Sequence, residues 1–132
     1  LEENAHLRGF IPFQQLPEYL KKANLLIGIR KDEGWSATGF STKLSEYLAT
    51  GRAVLCAAIG DNPKYLKHGE NAFLVKAGAN PKQIAQAIRE ALENPEKRQA
   101  VGRKGKSTAI EHFGQHAVGK TLKTLLDLIT KS

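Results

Sequence analysis

Methionine is absent from the 132 residues, cysteine and tryptophan occur once each, and aromatic residues amount to only 7%. A lone cysteine, Cys56, can close no internal disulfide and cannot build a multi-cysteine zinc site. This excludes a disulfide-stapled scaffold and points to a reducing compartment. No stretch comes near the roughly 20 consecutive apolar residues of a membrane span. The start, Leu1-Glu2-Glu3, has neither an initiating methionine nor the basic start and apolar centre of a signal peptide, so the chain is expected to be a piece of a larger protein. What is present is ordinary: 41% hydrophobic and 25% charged residues, the usage of a folded domain rather than a disordered chain, at a length suited to one domain.

The net charge of +7 is unevenly placed: residues 1–66 carry +1 and residues 67–132 carry +6. The densest cluster, Lys97, Arg98, Arg103, Lys104 and Lys106, has no acidic or aromatic residue among it. Nucleic-acid binders usually add stacking aromatics or a reading motif to their charge, so this cluster reads as a solvated helix face and no nucleic-acid partner is expected.

Apolar runs alternate with helical periods. Residues 23–29 and 53–57 read as buried strands, residues 72–75 as a third, and His6 to Phe10 as a weaker first one. Helices are expected at Leu16 to Ala23, at Ser41 to Thr50 with Gly51 ending it, briefly after Asn62-Pro63, and after the N-cap and proline of Asn80-Pro81 with Gln83 three residues on. Asn94-Pro95 starts another, and a last one runs from Lys120 to Thr130. Alternation of this kind predicts an α/β domain, a Rossmann-like parallel sheet flanked by helices. The expected division is an α/β core over about residues 1–79 and a helical extension over 80–132.

Ligands of open α/β sheets gather at the carboxyl ends of the strands. The segment from Arg30 to Phe40 is long for a connection in a compact domain, which marks it as functional. It leads into a helix starting near Ser41, whose first amides lack partners and whose dipole end is positive. Gly39 permits close backbone approach, Ser41 and Thr42 offer hydroxyls, and Lys43 a mobile cation. Together they suit a phosphate or diphosphate, and Glu46, a turn later, suits a ribose diol. A plain Ser-capped helix with solvated Lys43 and Glu46 is the equal alternative on these grounds.

The run Gly39-Phe40-Ser41-Thr42-Lys43-Leu44-Ser45-Glu46-Tyr47-Leu48-Ala49-Thr50-Gly51-Arg52-Ala53-Val54 resembles the donor-binding signature of retaining glycosyltransferases of the two-domain GT-B fold, family 4. Arg8-Gly9-Phe10-Ile11-Pro12, Ala23 to Ile27, Lys67 to Val75 and Asn94 to Arg98 agree in order and spacing. The resemblance implies one half of a GT-B fold, with the N-terminal acceptor domain outside this chain. It implies a nucleotide-diphosphate sugar as donor substrate, with neither cofactor nor metal. Glu46 would bind the ribose, Gly39, Phe40, Ser41, Thr42 and Lys43 would hold the diphosphate, Thr38 and Leu44 would complete the donor site, and Phe10, Ile11 and Pro12 would lie against the base. Arg30 and Lys43 would stabilise the leaving group. It further implies a cytoplasmic enzyme of polysaccharide or glycoconjugate biosynthesis, with peripheral membrane association of the full-length protein left open.

One family glutamate, eight positions before the ribose-binding one, is Thr38 here, and Glu33 is the nearest upstream substitute. Rival patterns are weaker. Gly114-Gln115-His116-Ala117-Val118-Gly119-Lys120-Thr121 spells a phosphate loop, but a helical segment precedes it where a strand is needed. His112 and His116 have no metal-site context. A non-catalytic nucleotide- or nucleic-acid-binding module remains as the alternative function.

Overall fold

The computed structural model describes residues 4–31, 33–34 and 38–130. A 3-10 turn at Phe13–Gln15 leads into α1 (Leu16–Lys22). Then follow β1 (Leu25–Gly28), α2 (Thr42–Ala49), β2 (Ala53–Ala57), α3 (Asn62–Tyr65), β3 (Phe73–Val75), α4 (Pro81–Glu93), α5 (Pro95–Phe113) and α6 (Gln115–Thr130). The three strands lie in the order β1-β2-β3, all parallel, with Leu25 opposite Ala53 and Leu55 opposite Phe73. Parallel neighbours need crossovers, and α2 and α3 supply them.

All five residues of β2 are buried, as its unbroken apolar run requires in a sheet covered on both faces. The period of two sorts them. Ala53, Leu55 and Ala57 pack with Phe73, Val75, Ala87, Ala91 and Val101 on one face. Val54 and Cys56 pack with Leu26, Leu44, Leu48, Leu66 and Ala109 on the other. Helix α5 therefore serves both faces: Val101 joins one cluster and Ala109 the other. It crosses by lying on the amino-terminal ends of the strands. A Cβ at Gly102 would collide with the Gly51 carbonyl and come within 2.9 Å of the Ala53 amide nitrogen, and one at Gly105 would meet the Asn71 carbonyl at 2.8 Å.

One expectation needs correction. His6 to Phe10 forms no strand: the segment is irregular and exposed, with Leu7 and Phe10 almost wholly in solvent. No strand pairs with it among the described residues. Residues 80–130 are helical as expected; within them α4 and α5 also pack on the core, whereas α6 has no buried residue. The Asn80 N-cap is as expected, with Gln83 N donating to Asn80 Oδ1 and Asn80 N to Gln83 Oε1, both at 3.0 Å. The phosphate-loop spelling falls on a helix: Gln115 to Thr121 lies within α6, directly after α5. No strand feeds it, because α5 ends at Phe113 directly before it, where a phosphate loop follows a strand.

Candidate functional site

Helix α2 carries the site because its faces diverge at 100° per residue. Leu44 and Leu48 point into the core at 2% and 1% exposure. Lys43 and Tyr47, four apart, line a cleft of about 340 Å³ together with Arg30, Ser41 and the Gly28–Ile29 end of β1. Glu46 lies on a third face, roughly 60° from Lys43. It lines a separate crevice of about 290 Å³ with Phe13, Leu16, Pro17 and Thr50. The helix thus separates a cleft at the carboxyl end of the sheet, at its own start, from a crevice that runs along it toward Ala49 and Thr50.

The cleft is electrostatically prepared for an anion. Ser41 is the N-cap, in extended conformation, but its hydroxyl makes no capping bond. The first amide of the helix to find a backbone carbonyl is Leu44 N, bonded to Ser41 O at 3.0 Å; those of Thr42 and Lys43 find none among the described residues. Unpartnered amides at the positive end of the dipole, beside Arg30 and Lys43, favour negative charge. The approach is set by Gly39, whose φ of +69° suits glycine best. Its carbonyl accepts from Asp61 N at 3.1 Å. That turn is itself held by Asn62, which is buried and donates from Nδ2 to Ala57 O at 2.8 Å. The Asp61 carboxylate pairs with Lys64 at 2.6 Å, which holds the Lys64 ammonium above its usual range by hydrogen bond and charge.

The remaining residues singled out in the sequence fall as follows. Thr38 and Thr42 are exposed beside the helix entrance. The ring of Phe40 turns elsewhere: it stacks on Phe113 at 4.2 Å and meets Tyr65 edge-on at 5.6 Å, tying the loop to the end of α5. Leu44 is a core residue that also borders the Lys43 cleft. Phe10 and Pro12 are exposed and Ile11 half-buried, just ahead of the crevice that holds Glu46. Glu33 is exposed and lines neither hollow. Trp35 lies outside the described residues.

Phe13, Tyr47 and Asp61 were not singled out by sequence reading. Tyr47 could have been, because it sits one turn from Lys43 on the same face. Cys56 is fully buried, and desolvation pushes its thiol up to about 12, which makes it a core residue and not a nucleophile. Among the described residues no cluster of His, Cys, Asp or Glu could hold a metal ion, and no helix is long and apolar enough to cross a membrane.

Comparison with known proteins gives the fold and the family. The chain is similar to spore coat protein SA of Bacillus subtilis (strain 168), 29% identical over 82 residues, which is 62% of this chain and 22% of that protein. Its fold is that of HepE from Anabaena, solved in complex with UDP: the TM-score is 0.80 at 20% identity, covering 96% of this chain and 33% of that one. Sucrose-phosphate synthase from Thermosynechococcus elongatus superposes with a TM-score of 0.79 at 22% identity, over 98% of this chain and 31% of that one. The chain thus spans about a third of the solved structures it resembles. The family described as glycosyl transferases group 1 matches residues 1–108, and the chain therefore belongs to that family.

Proposed function

We propose that the chain is the donor-binding half of a retaining glycosyltransferase that takes a sugar from a nucleotide-diphosphate sugar. The observation that carries the reading is the arrangement on α2: an uncapped amino terminus with Arg30, Ser41 and Lys43 in one cleft, and the Glu46 carboxylate in the adjoining crevice. The diphosphate lies over the helix entrance and the ribose diol hydrogen-bonds to Glu46. The base lies toward Phe13 and the Phe10 to Pro12 segment. HepE, whose fold this chain shares, has been solved with UDP and with UDP-glucose, which favours a donor of this class.

During transfer the bond between the anomeric carbon and the diphosphate oxygen breaks, and a bond to the acceptor oxygen forms as its proton leaves. Negative charge grows on the diphosphate, where Arg30, Lys43 and the helix amides offset it without reorganising. No metal or cofactor is required in this scheme. An N-terminal domain supplies the acceptor pocket, and closure of the cleft aligns the acceptor hydroxyl and excludes water. The setting is polysaccharide or glycoconjugate assembly in the cytoplasm, with peripheral contact at the inner face of the membrane.

Thermal shift and calorimetry with UDP, GDP, ADP and a short DNA duplex, at several salt concentrations, test the reading. One or more nucleoside diphosphates should stabilise the chain in a saturable way, and the duplex should not. Equal stabilisation by all four, collapsing together as salt rises, would instead favour a general polyanion-binding module.

A further inference from the structure

A second basic hollow lies at the opposite end of the sheet. Arg52, Arg98 and Arg103 line one pocket of about 160 Å³, with Gln99, Asn24 and the backbone of Gly51 and Ala53. Its position follows from the tertiary packing. Gly102 seats α5 directly on the Gly51 carbonyl and the Ala53 amide. Arg98, four residues before Gly102, and Arg103, one after it, consequently border the start of β2. Arg52 is held beside them by the turn that Thr50 closes: Arg52 N donates to Thr50 Oγ1 at 3.1 Å, and Thr50 Oγ1 to the Tyr47 carbonyl at 2.6 Å.

Arg52 and Arg103 are exposed, and three like charges lining one hollow favour an anion that shares it. The lining has no carboxylate, and none of the three arginines has an ion pair among the described residues. Arg98 is half-buried and already oriented, its Nη1 donating to the Leu92 carbonyl at 3.0 Å. Gln99 and the Asn24 side chain add neutral donors. Guanidinium forks lining a small, acid-free hollow suit the tetrahedral oxygens of a phosphoryl group. The two ends of β1 place this pocket on the order of 15 Å from the Lys43 cleft, so a nucleotide held there does not fill it.

The geometry points to a second anion site at the amino-terminal edge of the sheet, in which Arg52, Arg98 and Arg103 bind a phosphoryl group. Two sources share that chemistry, a soluble phosphate and a phospholipid headgroup, and the test separates them. The first arm titrates inorganic phosphate into the isotope-labelled chain at constant ionic strength and follows backbone amide shifts. The second sediments the chain with phosphatidylcholine vesicles, plain or doped with phosphatidic acid.

Both arms use wild type, an Arg98→Gln/Arg103→Gln pair, and a Lys120→Gln/Lys123→Gln pair that removes the same charge from α6. Amide spectra of each variant establish that it is folded. Arg103→Lys, which keeps the charge but not the fork, supplies a milder variant should the double one unfold. Saturable phosphate shifts at the residues of the pocket, with affinity there weakened about tenfold or more in the arginine pair and unchanged in the lysine pair, establish a site for soluble phosphate. Sedimentation only with phosphatidic acid, with the same variant pattern and no saturable phosphate shifts, establishes the headgroup. Absence of both, or equal loss in the two pairs, overturns the site. Absence of stabilisation by any nucleoside diphosphate would leave these pocket readouts standing, so failure here is separate from failure of the donor site.

Discussion

Lys43 and Glu46 lie three residues apart on α2 yet face different hollows, so they should fail differently. Under the proposed function Lys43→Gln removes a charge-assisted contact to the diphosphate and weakens nucleoside diphosphate binding about tenfold, while affinity for a nucleoside without phosphates stays as it was. Glu46→Gln should instead narrow the preference for UDP over its 2′-deoxy counterpart. Calorimetry of both variants with these ligands checks the split. Identical losses for the two variants would mean that α2 acts only as a charge source.

Gly102 makes a prediction of another kind at the same scale. With the Gly51 carbonyl and Ala53 amide in the space of its missing Cβ, Gly102→Ala should destabilise the chain by about 1–3 kcal/mol, read as a lower midpoint in urea. Both opposing groups are backbone, so neither can rotate away. The residue types that signalled the donor site, a glycine before a Ser-Thr-Lys helix start, were legible in order along the chain. The packing role of Gly102 was not, because nothing local distinguishes it from a glycine on an exposed helix face.

The elements were most legible where capping chemistry marks their ends. Asn80, Pro81 and Gln83 announce α4, and the reciprocal bonds are present at 3.0 Å. Asn80→Ala should remove about 1 kcal/mol, measured by denaturation, while Gln83→Ala keeps the Asn80 bond and should cost less. Elements were least legible where an apolar run lacks company. His6 to Phe10 has the composition of a short strand, but a strand is made by its neighbour's hydrogen bonds as much as by its own residues. Position 114 shows the converse: a glycine there reads as part of a phosphate loop, whereas its φ of −65° and ψ of 150° simply end α5. Recognition of the loop would have required the strand that precedes such loops, and α5 stands in its place.

For the molecule as a whole, β2 is the keystone, buried on both faces, and Cys56 titrates with its burial. In the folded chain the thiol keeps its proton up to about 12, whereas the ordinary value is 9.0. Between these the unfolded chain binds fewer protons, so stability falls as pH rises, by up to about 1.4 kcal/mol per pH unit from this group. The contribution is intact below the ordinary value and is lost progressively above it. Cys56→Ala removes the dependence, so the stability gap between wild type and variant should change across the alkaline range in urea titrations. Parallel curves would show that the thiol is more accessible than its position in β2 implies.

The sequence by itself determined the local chemistry: which apolar runs form the three strands, where helices begin, and which helix start presents free amides with a cation beside them. Those properties depend on residues within a turn or two of each other. Tertiary structure alone decided which hollows exist. It put Glu46 with Phe13 rather than with Lys43, turned Phe40 away to Phe113, and gathered Arg52 with Arg98 and Arg103 across some fifty residues of chain. The physical reason is that a pocket is bounded by several elements at once, and their distances are fixed by core packing such as the seat of Gly102 on β2, which no single stretch of sequence encodes.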